Sequence, residues 1–212
     1  MDEKVLEELS RRAKKEVLDD GYTFDTFEET ESNKLARQMA IKVANNPGEE
    51  EYNPLIICGE KGVGKTHLMH AIGNYIADKN SDAKVGYVTT GTFVGEALVA
   101  IMKNNVRAFR KKYCDYDVLF VDDLQMFSGK TSGLSELAFV FDMMITHAKQ
   151  IVFGCTVSRD KEKLRKIGEV IARFSSDDLG YVVDINQNNP AIAFKVPNNP
   201  TIFMNKLKEK KD

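Results

Sequence analysis

The chain has 212 residues, of which 42% are hydrophobic and 29% charged, and its formal net charge is −2. That length supports one main domain with a sizeable core, and the charge excludes a whole-protein attraction to nucleic acid, so any such contact requires a local patch. No run approaches the ~18 apolar residues of a membrane span, the charged N-terminus has no apolar signal core, and the three cysteines form no C-x-x-C pair. We therefore expect a cytoplasmic protein in a reducing compartment.

The first 20 residues place apolar side chains at helical spacing among many charges. These side chains are Val5, Leu6, Leu9, Ala13 and Val17. The spacing predicts an amphipathic helix that ends near residue 21. Two interpretations of residues 1–21 stay open: an ordinary surface helix or frayed leader, and a helix that grips a partner.

An apolar run at residues 55–58 predicts a buried strand, and residues 59–66 directly after it read Gly-Glu-Lys-Gly-Val-Gly-Lys-Thr. This is the phosphate-loop pattern G-x-x-x-x-G-K-[ST], in which the glycines let backbone N–H groups and the next helix N-terminus point at a phosphate chain. Lys65 adds a positive charge and Thr66 adds a hydroxyl that ligates Mg²⁺. The pattern predicts that the chain binds a nucleoside triphosphate with magnesium. The residues expected at the nucleotide are Gly59, Gly62, Val63, Gly64, Lys65, Thr66 and His67.

Two histidines, His67 and His70, lie three residues apart on the helix predicted after the loop. That spacing would let both reach one metal ion, but no third ligand is evident and the helix is already committed to phosphate binding. We therefore expect structural roles for their rings.

Strand-like and helix-like segments alternate from residue 55 onward. Strands are predicted at residues 55–58, 85–89, 117–121, 151–155 and 181–185. Helices are predicted at about residues 65–79, 92–112, 133–148 and 160–173. Most of the strands are near-continuous apolar runs, which is typical of a parallel sheet covered by helices on both faces, with the ligand beyond the carboxyl ends of the strands. We therefore predict a phosphate-loop α/β sandwich.

The helix predicted at residues 92–112 has one apolar face followed by a basic cluster. The cluster consists of Arg107, Arg110, Lys111 and Lys112. Two interpretations stay open here: contact with a nucleic-acid backbone, and a solvated face opposite a core face.

Two acids, Asp122 and Asp123, follow the apolar strand predicted at residues 117–121. We expect Asp122 to hold Mg²⁺ through water, because that ion dehydrates reluctantly. Asp123 is placed to orient or deprotonate an attacking water. Paired acids at a strand end can also simply cap the following turn, so that alternative stays open for Asp123.

The last 27 residues break the alternation of strands and helices. Turn residues bracket short extended pieces, and a basic tail follows. We expect residues 186–212 to form an irregular C-terminal segment. The basic tail is either a solvated end or a site for an anion or nucleic acid.

Residues 22–185 resemble the AAA+ ATPase domain of the bacterial replication initiator DnaA family. Residues 22–27, Tyr-Thr-Phe-Asp-Thr-Phe, are similar to the first segment of that domain. Residues 64–74, Gly-Lys-Thr-His-Leu-Met-His-Ala-Ile-Gly-Asn, match the family's loop and helix at nearly every position. The double aspartate with Leu124 and Gln125 is similar to the family's form of the metal motif. The resemblance therefore extends well beyond the phosphate loop.

The resemblance implies a three-layer AAA+ sandwich with strand order 5-1-4-3-2, ATP or ADP with Mg²⁺ as cofactors, and Arg173 as an arginine finger offered in trans to a neighbour's ATP. The chain departs from the family in that Glu169 stands where a second arginine is expected and Thr156 stands at the sensor aspartate. The chain also ends where the helical lid should begin. We therefore expect the lid to be absent or truncated, and no domain that reads duplex origin DNA.

The resemblance also implies candidate contacts with single-stranded DNA. Val99 and Lys130 fall in the stretches that provide these contacts in the family. Ser132 stands where a further basic contact is expected, which weakens the inference. We rank DNA binding below nucleotide binding.

The leading functional hypothesis is an ATP-governed assembly switch in the initiation of DNA replication or in its regulation. Its expected partners are a second copy of the chain, DnaA or the replicative helicase. Three alternatives stay open: a loader that grips the replicative helicase, a turnover-competent ATPase, and a decoy that inhibits initiator filaments. The replaced sensor residue argues for at most slow ATP hydrolysis, because hydrolysis needs charge stabilisation around the γ-phosphate.

Overall fold

The computed structural model describes residues 17–127, 131–157, 161–172, 180–185, 191–195, 201–202 and 205–206. The helices are α1 (Lys34–Asn45), α2 (Lys65–Lys79), α3 (Thr90–Met102), α4 (Val106–Cys114), α5 (Thr131–Thr146) and α6 (Lys161–Ile171). The strands are β1 (Leu55–Gly59), β2 (Val85–Thr89), β3 (Val118–Asp122), β4 (Gln150–Thr156), β5 (Tyr181–Ile185) and β6 (Ile192–Lys195). Two short 3-10 turns lie at Glu50–Tyr52 and Leu124–Phe127.

One six-stranded sheet forms the middle layer, with the order β2-β3-β4-β1-β5-β6. The first five strands pair in parallel, and β1 lies between β4 and β5. Read from the β5 side, this is the predicted order 5-1-4-3-2, which is confirmed. The carboxyl ends of β1, β3 and β4 therefore meet at one edge of the sheet, where the phosphate loop begins.

The structure corrects the expectation that the C-terminal segment is wholly irregular, because β6 pairs antiparallel with β5 and extends the sheet beyond the predicted five strands. Phe194 of β6 pairs with Val182 and is only 8% exposed, so burial of its ring favours the strand. Strand β6 is four residues long, of which the first three are apolar, and it lies close to turn residues. It is therefore too short to give a clear strand pattern in the sequence.

The structure also corrects the single helix predicted at residues 92–112, which is two helices separated at residues 103–105. Asn104 adopts a left-handed conformation with φ of +52°. The N–H of Asn105 donates to the carbonyl of Ala100 at 2.8 Å, which closes the end of α3. Asparagine tolerates this conformation better than most residues, so the Asn-Asn pair is the sequence signal for the break.

Helices cover both faces of the sheet and bury a separate apolar cluster on each. The helices α3, α4, α5 and α6 pack on one face, and α1 and α2 pack on the other. Every residue of β1 and of β3 is buried, because these central strands are covered on both sides. The result is the three-layer sandwich that the sequence predicts.

Two cysteines face each other across neighbouring strands: Cys58 of β1 is in register with Cys155 of β4, and both are fully buried. A hydrogen bond with Cys155, and then burial, raise the pKa of the Cys58 thiol. The three cysteines of the chain are free thiols.

The predicted N-terminal helix, over residues 1–20, lies outside the described residues except for positions 17–20, which form no helix. Among the described helices, none has the length and apolar character that a membrane crossing requires.

Candidate nucleotide-binding site

The loop between β1 and α2 depends on glycine at its two ends. Gly59 and Gly64 have φ of +152° and +96°, a backbone region that side chains rarely allow. A Cβ on Gly59 would lie 2.7 Å from the carbonyl oxygen of Ile185, and one on Gly64 would lie 2.7 Å from the ring of Phe27. The glycines therefore let the loop turn tightly against β5 and against the N-terminal segment.

Lys65 lies under this loop with its side chain directed back at it. Its Nζ donates to the carbonyl oxygens of Gly59 at 3.1 Å and Glu60 at 2.7 Å, and the residue is only 7% exposed. Burial lowers the pKa of Lys65, although the nearby Asp122 carboxylate opposes that shift. A buried cation held only by neutral carbonyls is suited to exchange them for the oxygens of a phosphate.

Asp122, at the end of β3, is the acceptor on which three donors converge. Its Oδ2 accepts from Thr66 Oγ1 at 2.7 Å and from the Tyr87 hydroxyl at 2.9 Å, and its Oδ1 accepts from the Asp123 N–H at 2.7 Å. The carboxylate is therefore held in one orientation at the foot of the phosphate loop.

A hydroxyl and a carboxylate are hard oxygen ligands, so Thr66 and Asp122 fit Mg²⁺, which takes one or two protein oxygens and completes its shell with phosphates and water. Within the described residues, no cluster of three or more histidine, cysteine or acidic side chains forms a separate metal site. The pairing predicted from the sequence thus brings the two expected magnesium ligands within 2.7 Å of each other.

Asp123 stands beside Asp122 but points to solvent, and its φ of +58° is left-handed. Its Oδ1 accepts from Nε2 of Gln125 at 2.7 Å. The Oε1 of Gln125 in turn accepts from the N–H of Thr156 at 2.8 Å. The second acid is therefore tied to the end of β4 through one side chain.

A cavity of about 470 Å³ opens in front of the loop, which is the size of a small-molecule site. Its lining residues are Tyr22, Lys61, Gly62, Gly64, Lys65, Thr66, His67, Asp122, Asp123 and Thr156. We call it the phosphate-loop cavity. The residues predicted at the nucleotide and at the metal line this cavity, except for Gly59 and Val63.

The N-terminal segment, residues 18–27, forms the other side of this cavity and is fastened to α2. The side-chain amide of Asn74 donates to the carbonyls of Asp19 and Tyr22, both at 2.9 Å. The N–H of Asp19 donates to Nδ1 of His70 at 2.8 Å. Burial lowers the pKa of His70, which matches an acceptor nitrogen in a packed setting.

His67 also holds this segment, in keeping with the structural role expected for its ring. Its Nε2 lies 2.9 Å from the carbonyl oxygen of Thr23, and its ring centroid lies 4.8 Å from that of Tyr22 and 5.1 Å from that of Phe27. The Tyr22 and His67 rings, tilted at 33° to each other, face the phosphate-loop cavity. They form an apolar wall opposite the charged one.

The remaining predicted residues are placed as follows. Val99 is half-buried on α3, beside the exposed side chains of Leu98, Ile101 and Met102. Arg173 and Lys130 lie outside the described residues, so their predicted roles stay predictions.

The basic cluster of α4 is largely engaged in ion pairs within the chain. Arg110 pairs with Glu136, Lys111 with Asp115, and Lys112 with Glu96. Nε of Arg110 donates to Oε2 of Glu136 at 2.7 Å, and Nη2 donates to Oε1 at 3.0 Å. These pairs favour the solvated-face interpretation over contact with a nucleic-acid backbone.

Sequence reasoning did not assign roles to Tyr87, Gln125 and Gly154. A Cβ on Gly154 would lie 2.1 Å from Oδ1 of Asp122 and 2.7 Å from the sulfur of Met69. Glycine therefore leaves the space that the Asp122 carboxylate occupies. The available signal was a glycine inside an otherwise apolar strand, which often marks a close approach.

The comparisons with known proteins agree on one family. Residues 18–179 match the family described as the bacterial DnaA ATPase domain. The chromosomal replication initiator protein DnaA of Thermodesulfovibrio yellowstonii is 40% identical over 182 residues, which cover 85% of this chain and 40% of that protein. The chain thus spans less than half the length of the curated relatives it matches.

Solved structures give the same result. A replication initiator DnaA bound to AMPPCP and single-stranded DNA superposes with a TM-score of 0.69 at 30% identity, covering 91% of this chain and 56% of that one. The DnaC helicase loader superposes with a TM-score of 0.58 over 73% of this chain and 87% of that one, but its 19% identity shows the fold alone. The family match and the phosphate-loop geometry together establish that this chain belongs to the bacterial DnaA ATPase domain family.

Proposed function

We propose that the chain binds ATP with Mg²⁺ and acts as an ATP-governed assembly switch in the initiation of DNA replication or in its regulation. The observation that carries the proposal is the convergence of Lys65, Thr66 and Asp122 at one end of the phosphate-loop cavity, with the Thr66 hydroxyl 2.7 Å from the Asp122 carboxylate. This arrangement supplies a cation for phosphate oxygens and two oxygen ligands for magnesium.

Nucleotide binding rests on a simple exchange of partners. The Nζ of Lys65 has two neutral carbonyl partners in the free chain, and a phosphate oxygen is a stronger, charge-assisted partner. Loop N–H groups and the N-terminus of α2 add further donors. The solved DnaA that carries AMPPCP supports the same site for this chain.

With slow turnover, the state of the bound nucleotide governs assembly, and the chain does not hydrolyse ATP rapidly. Among the described lining residues, Lys61 and Lys65 carry the positive charge, and the N–H of Thr156 is already taken by Gln125. Fast hydrolysis needs more charge stabilisation than this around the γ-phosphate. Arg173 of a neighbouring copy is the group that we propose to complete the site, so ATP would favour assembly.

The test is sedimentation velocity of the wild type and of Arg173→Ala with ATP, with ADP and without nucleotide, alone and with DnaA added. We expect ATP to drive association of the wild type, and Arg173→Ala to lose that association while it retains ATP affinity. Arg107→Ala is the matched control, because Arg107 is an exposed arginine of α4 away from the cavity. ATP-dependent assembly that survives Arg173→Ala would exclude Arg173 as the finger.

The identity of the partner needs a separate measurement. A pull-down with ATP or ADP in the buffer should capture DnaA or a second copy of the chain if the switch hypothesis is correct. Capture of the replicative helicase instead would favour the loader alternative. Steady turnover near the ~10 s⁻¹ typical of enzymes would move the chain into the ATPase class.

Single-stranded DNA is a further partner that we propose for the α3 surface. The solved DnaA that carries single-stranded DNA supports it, as do the exposed apolar side chains that flank Val99. Apolar side chains can contact bases without reading sequence. Fluorescence anisotropy with a labelled oligonucleotide, comparing the wild type with Val99→Asp, tests this contact.

A further inference from the structure

Gln125 occupies a gap in the sheet beside the phosphate-loop cavity. The last residue pair between β3 and β4 joins Val121 to Phe153, yet β4 continues to Thr156, which pairs with Gly59 of β1 on its other side. The N–H of Thr156 points to the β3 side, where β3 no longer offers a backbone carbonyl to accept it. The side-chain Oε1 of Gln125 accepts this N–H at 2.8 Å and takes the place of a backbone carbonyl.

The other end of the same carboxamide holds Asp123. Nε2 of Gln125 donates to Oδ1 of Asp123 at 2.7 Å. The orientation of the amide is fixed by chemistry, because the N–H of Thr156 can only donate and an ionised carboxylate can only accept. One side chain thus joins two cavity-lining residues, Asp123 directly after β3 and Thr156 at the end of β4.

The direction of the Asp123 carboxylate depends on this hydrogen bond from Gln125. The Asp123 side chain is exposed, and its own backbone is left-handed with φ of +58°. Among the described residues, Gln125 is the side chain that donates to its carboxylate. Asp122, in contrast, is held by two hydroxyls and one N–H.

We propose that Gln125 is a positioning residue that fixes the direction of the Asp123 carboxylate relative to the end of β4. In that role Gln125 sets the rate of ATP hydrolysis while adding nothing to ATP affinity. The inference rests on the proposed function, since it requires ATP in the phosphate-loop cavity. Because Gln125 is absent from the lining of that cavity, its influence on a bound nucleotide runs through Asp123 and Thr156.

Two variants separate the two hydrogen bonds. Gln125→Glu keeps an acceptor for the Thr156 N–H but replaces the donor to Asp123 with a second carboxylate. Gln125→Met removes both bonds at similar length. Met126→Ala is the control, because the Met126 side chain is exposed on the same 3-10 turn and the substitution keeps the Met126 N–H, which donates to the Asp123 carbonyl at 2.9 Å.

The measurements are the dissociation constant for ATP, the single-turnover hydrolysis rate, and the affinity for ADP with aluminium fluoride, which mimics the transferring phosphoryl group. We expect the ATP dissociation constant to stay within about twofold in all variants. The hydrolysis rate and the aluminium fluoride affinity should fall about tenfold in Gln125→Met and further in Gln125→Glu. The tenfold loss is smaller than the roughly 100-fold or greater loss expected when a general base itself is removed. Hydrogen exchange should show the Thr156 N–H protected in Gln125→Glu and unprotected in Gln125→Met.

The outcomes divide as follows. Unchanged hydrolysis and unchanged aluminium fluoride affinity in Gln125→Met would overturn the inference and leave ATP binding intact. A parallel loss of ATP affinity would also overturn it, because Gln125 would then support the fold and not the direction of Asp123. A wild type that binds ATP but shows neither hydrolysis nor aluminium fluoride affinity counts against it as well. A wild type that binds no ATP refutes the proposed function itself.

Discussion

The phosphate-loop cavity has two walls that are held in place by different contacts. The sheet wall consists of Lys65, Thr66, Asp122 and Asp123 with their neighbours at the ends of β1, β3 and β4. The N-terminal wall consists of the neighbouring rings of Tyr22 and His67. Lys65 and Asp122 of the sheet wall are only 7% and 5% exposed, whereas Tyr22 of the N-terminal wall is 40% exposed.

Different parts of the fold position the residues of the two walls. Asp122 ends the fully buried strand β3, and Lys65 and Thr66 begin α2 after the loop that follows the fully buried strand β1, so their positions follow from the core of the domain. The N-terminal wall instead depends on a few hydrogen bonds from α2 to an irregular segment. Changes at the sheet wall should therefore have large effects on phosphate and magnesium, and changes at the N-terminal wall smaller ones that are indifferent to magnesium.

The largest effect is expected from Lys65→Ala, which removes the cation of the sheet wall. A hydrogen bond to a charged group contributes about 1.5–3 kcal/mol, so ATP affinity should fall roughly 10- to 100-fold. The free energy of unfolding should not fall, because burial lowers the pKa of Lys65 and the variant removes a buried charge. Fluorescent ATP titration and urea unfolding measure the two quantities.

The control for this variant is Lys61→Ala in the same loop. Lys61 is exposed, so its loss should change ATP affinity by less than about fivefold. Equal losses in both variants would mean that general positive charge, and not the buried position of Lys65, governs binding.

A smaller loss is expected from Gly154→Ala, which pushes a methyl group into the Asp122 carboxylate. The new Cβ would lie 2.1 Å from Oδ1, so the carboxylate must turn away from Thr66. Changes to groups that orient a metal ligand cost about 10-fold or more in metal affinity. Titration of magnesium against the ATP-bound protein should show that loss, while affinity for ATP without magnesium changes less.

The matched variant Gly91→Ala lies on α3, where a Cβ has its nearest neighbour at 3.8 Å. It should leave magnesium affinity unchanged. Normal magnesium affinity in Gly154→Ala would show that Asp122 is not the metal ligand.

Tyr22→Ala tests the N-terminal wall and should weaken ATP binding about 2- to 10-fold, the value of about 0.5–1.5 kcal/mol for one aromatic stacking contact. Tyr22→Phe keeps the ring and should bind ATP like the wild type. The loss should be the same with and without magnesium, as measured by calorimetry. A magnesium-dependent loss would contradict the division of the cavity into two walls.

The smallest effect concerns acid stability through His70, which fastens the N-terminal wall to α2. Burial lowers the pKa of His70 below its usual 6.5, although Asp19 and Asp122 oppose the shift, so the unfolded chain binds this proton more readily than the folded one. Stability from this residue is therefore complete above pH 6.5 and is lost as the pH falls below that value.

The variant His70→Asn keeps an acceptor for the Asp19 N–H but cannot titrate. Denaturant unfolding at pH 7 and pH 5 should show a smaller acid loss in His70→Asn than in the wild type. His147→Asn, a change of an exposed histidine beyond α5, is the control and should retain the wild-type acid loss.

The sheet wall was predictable from the sequence because its residues follow each other along the chain. The loop glycines, Lys65 and Thr66 form one contiguous pattern, and Asp122 is marked by the apolar strand before it. The order of the five parallel strands came from the resemblance and is confirmed. The loop and Asp122 are local features that spacing reveals, whereas the strand order depended on the resemblance.

The N-terminal wall was not predictable in this way, because its contacts join residues far apart in the chain. Tyr22 contacts His67, which lies 45 positions later in the chain, and no sequence pattern around either residue predicts the contact. Gly154 gained its meaning only when β4 was placed beside Asp122. Helix α1 (Lys34–Asn45) was missed although it buries Ala36, Met39, Ala40, Val43 and Ala44 on one face.

The rate at which the thiols of Cys58 and Cys155 are alkylated reports how often strands β1 and β4 separate. Alkylating reagents attack thiolates, and burial with a raised pKa leaves Cys58 almost none at neutral pH, so modification must wait until β1 and β4 separate. Cys114 is half-buried outside that strand pair and provides the internal reference. ATP at 100 times its dissociation constant stabilises the native state by about 2.7 kcal/mol. Labelling of the β1 and β4 thiols through global opening should then slow roughly 100-fold, so mass spectrometry of these positions would register nucleotide occupancy in unmodified protein.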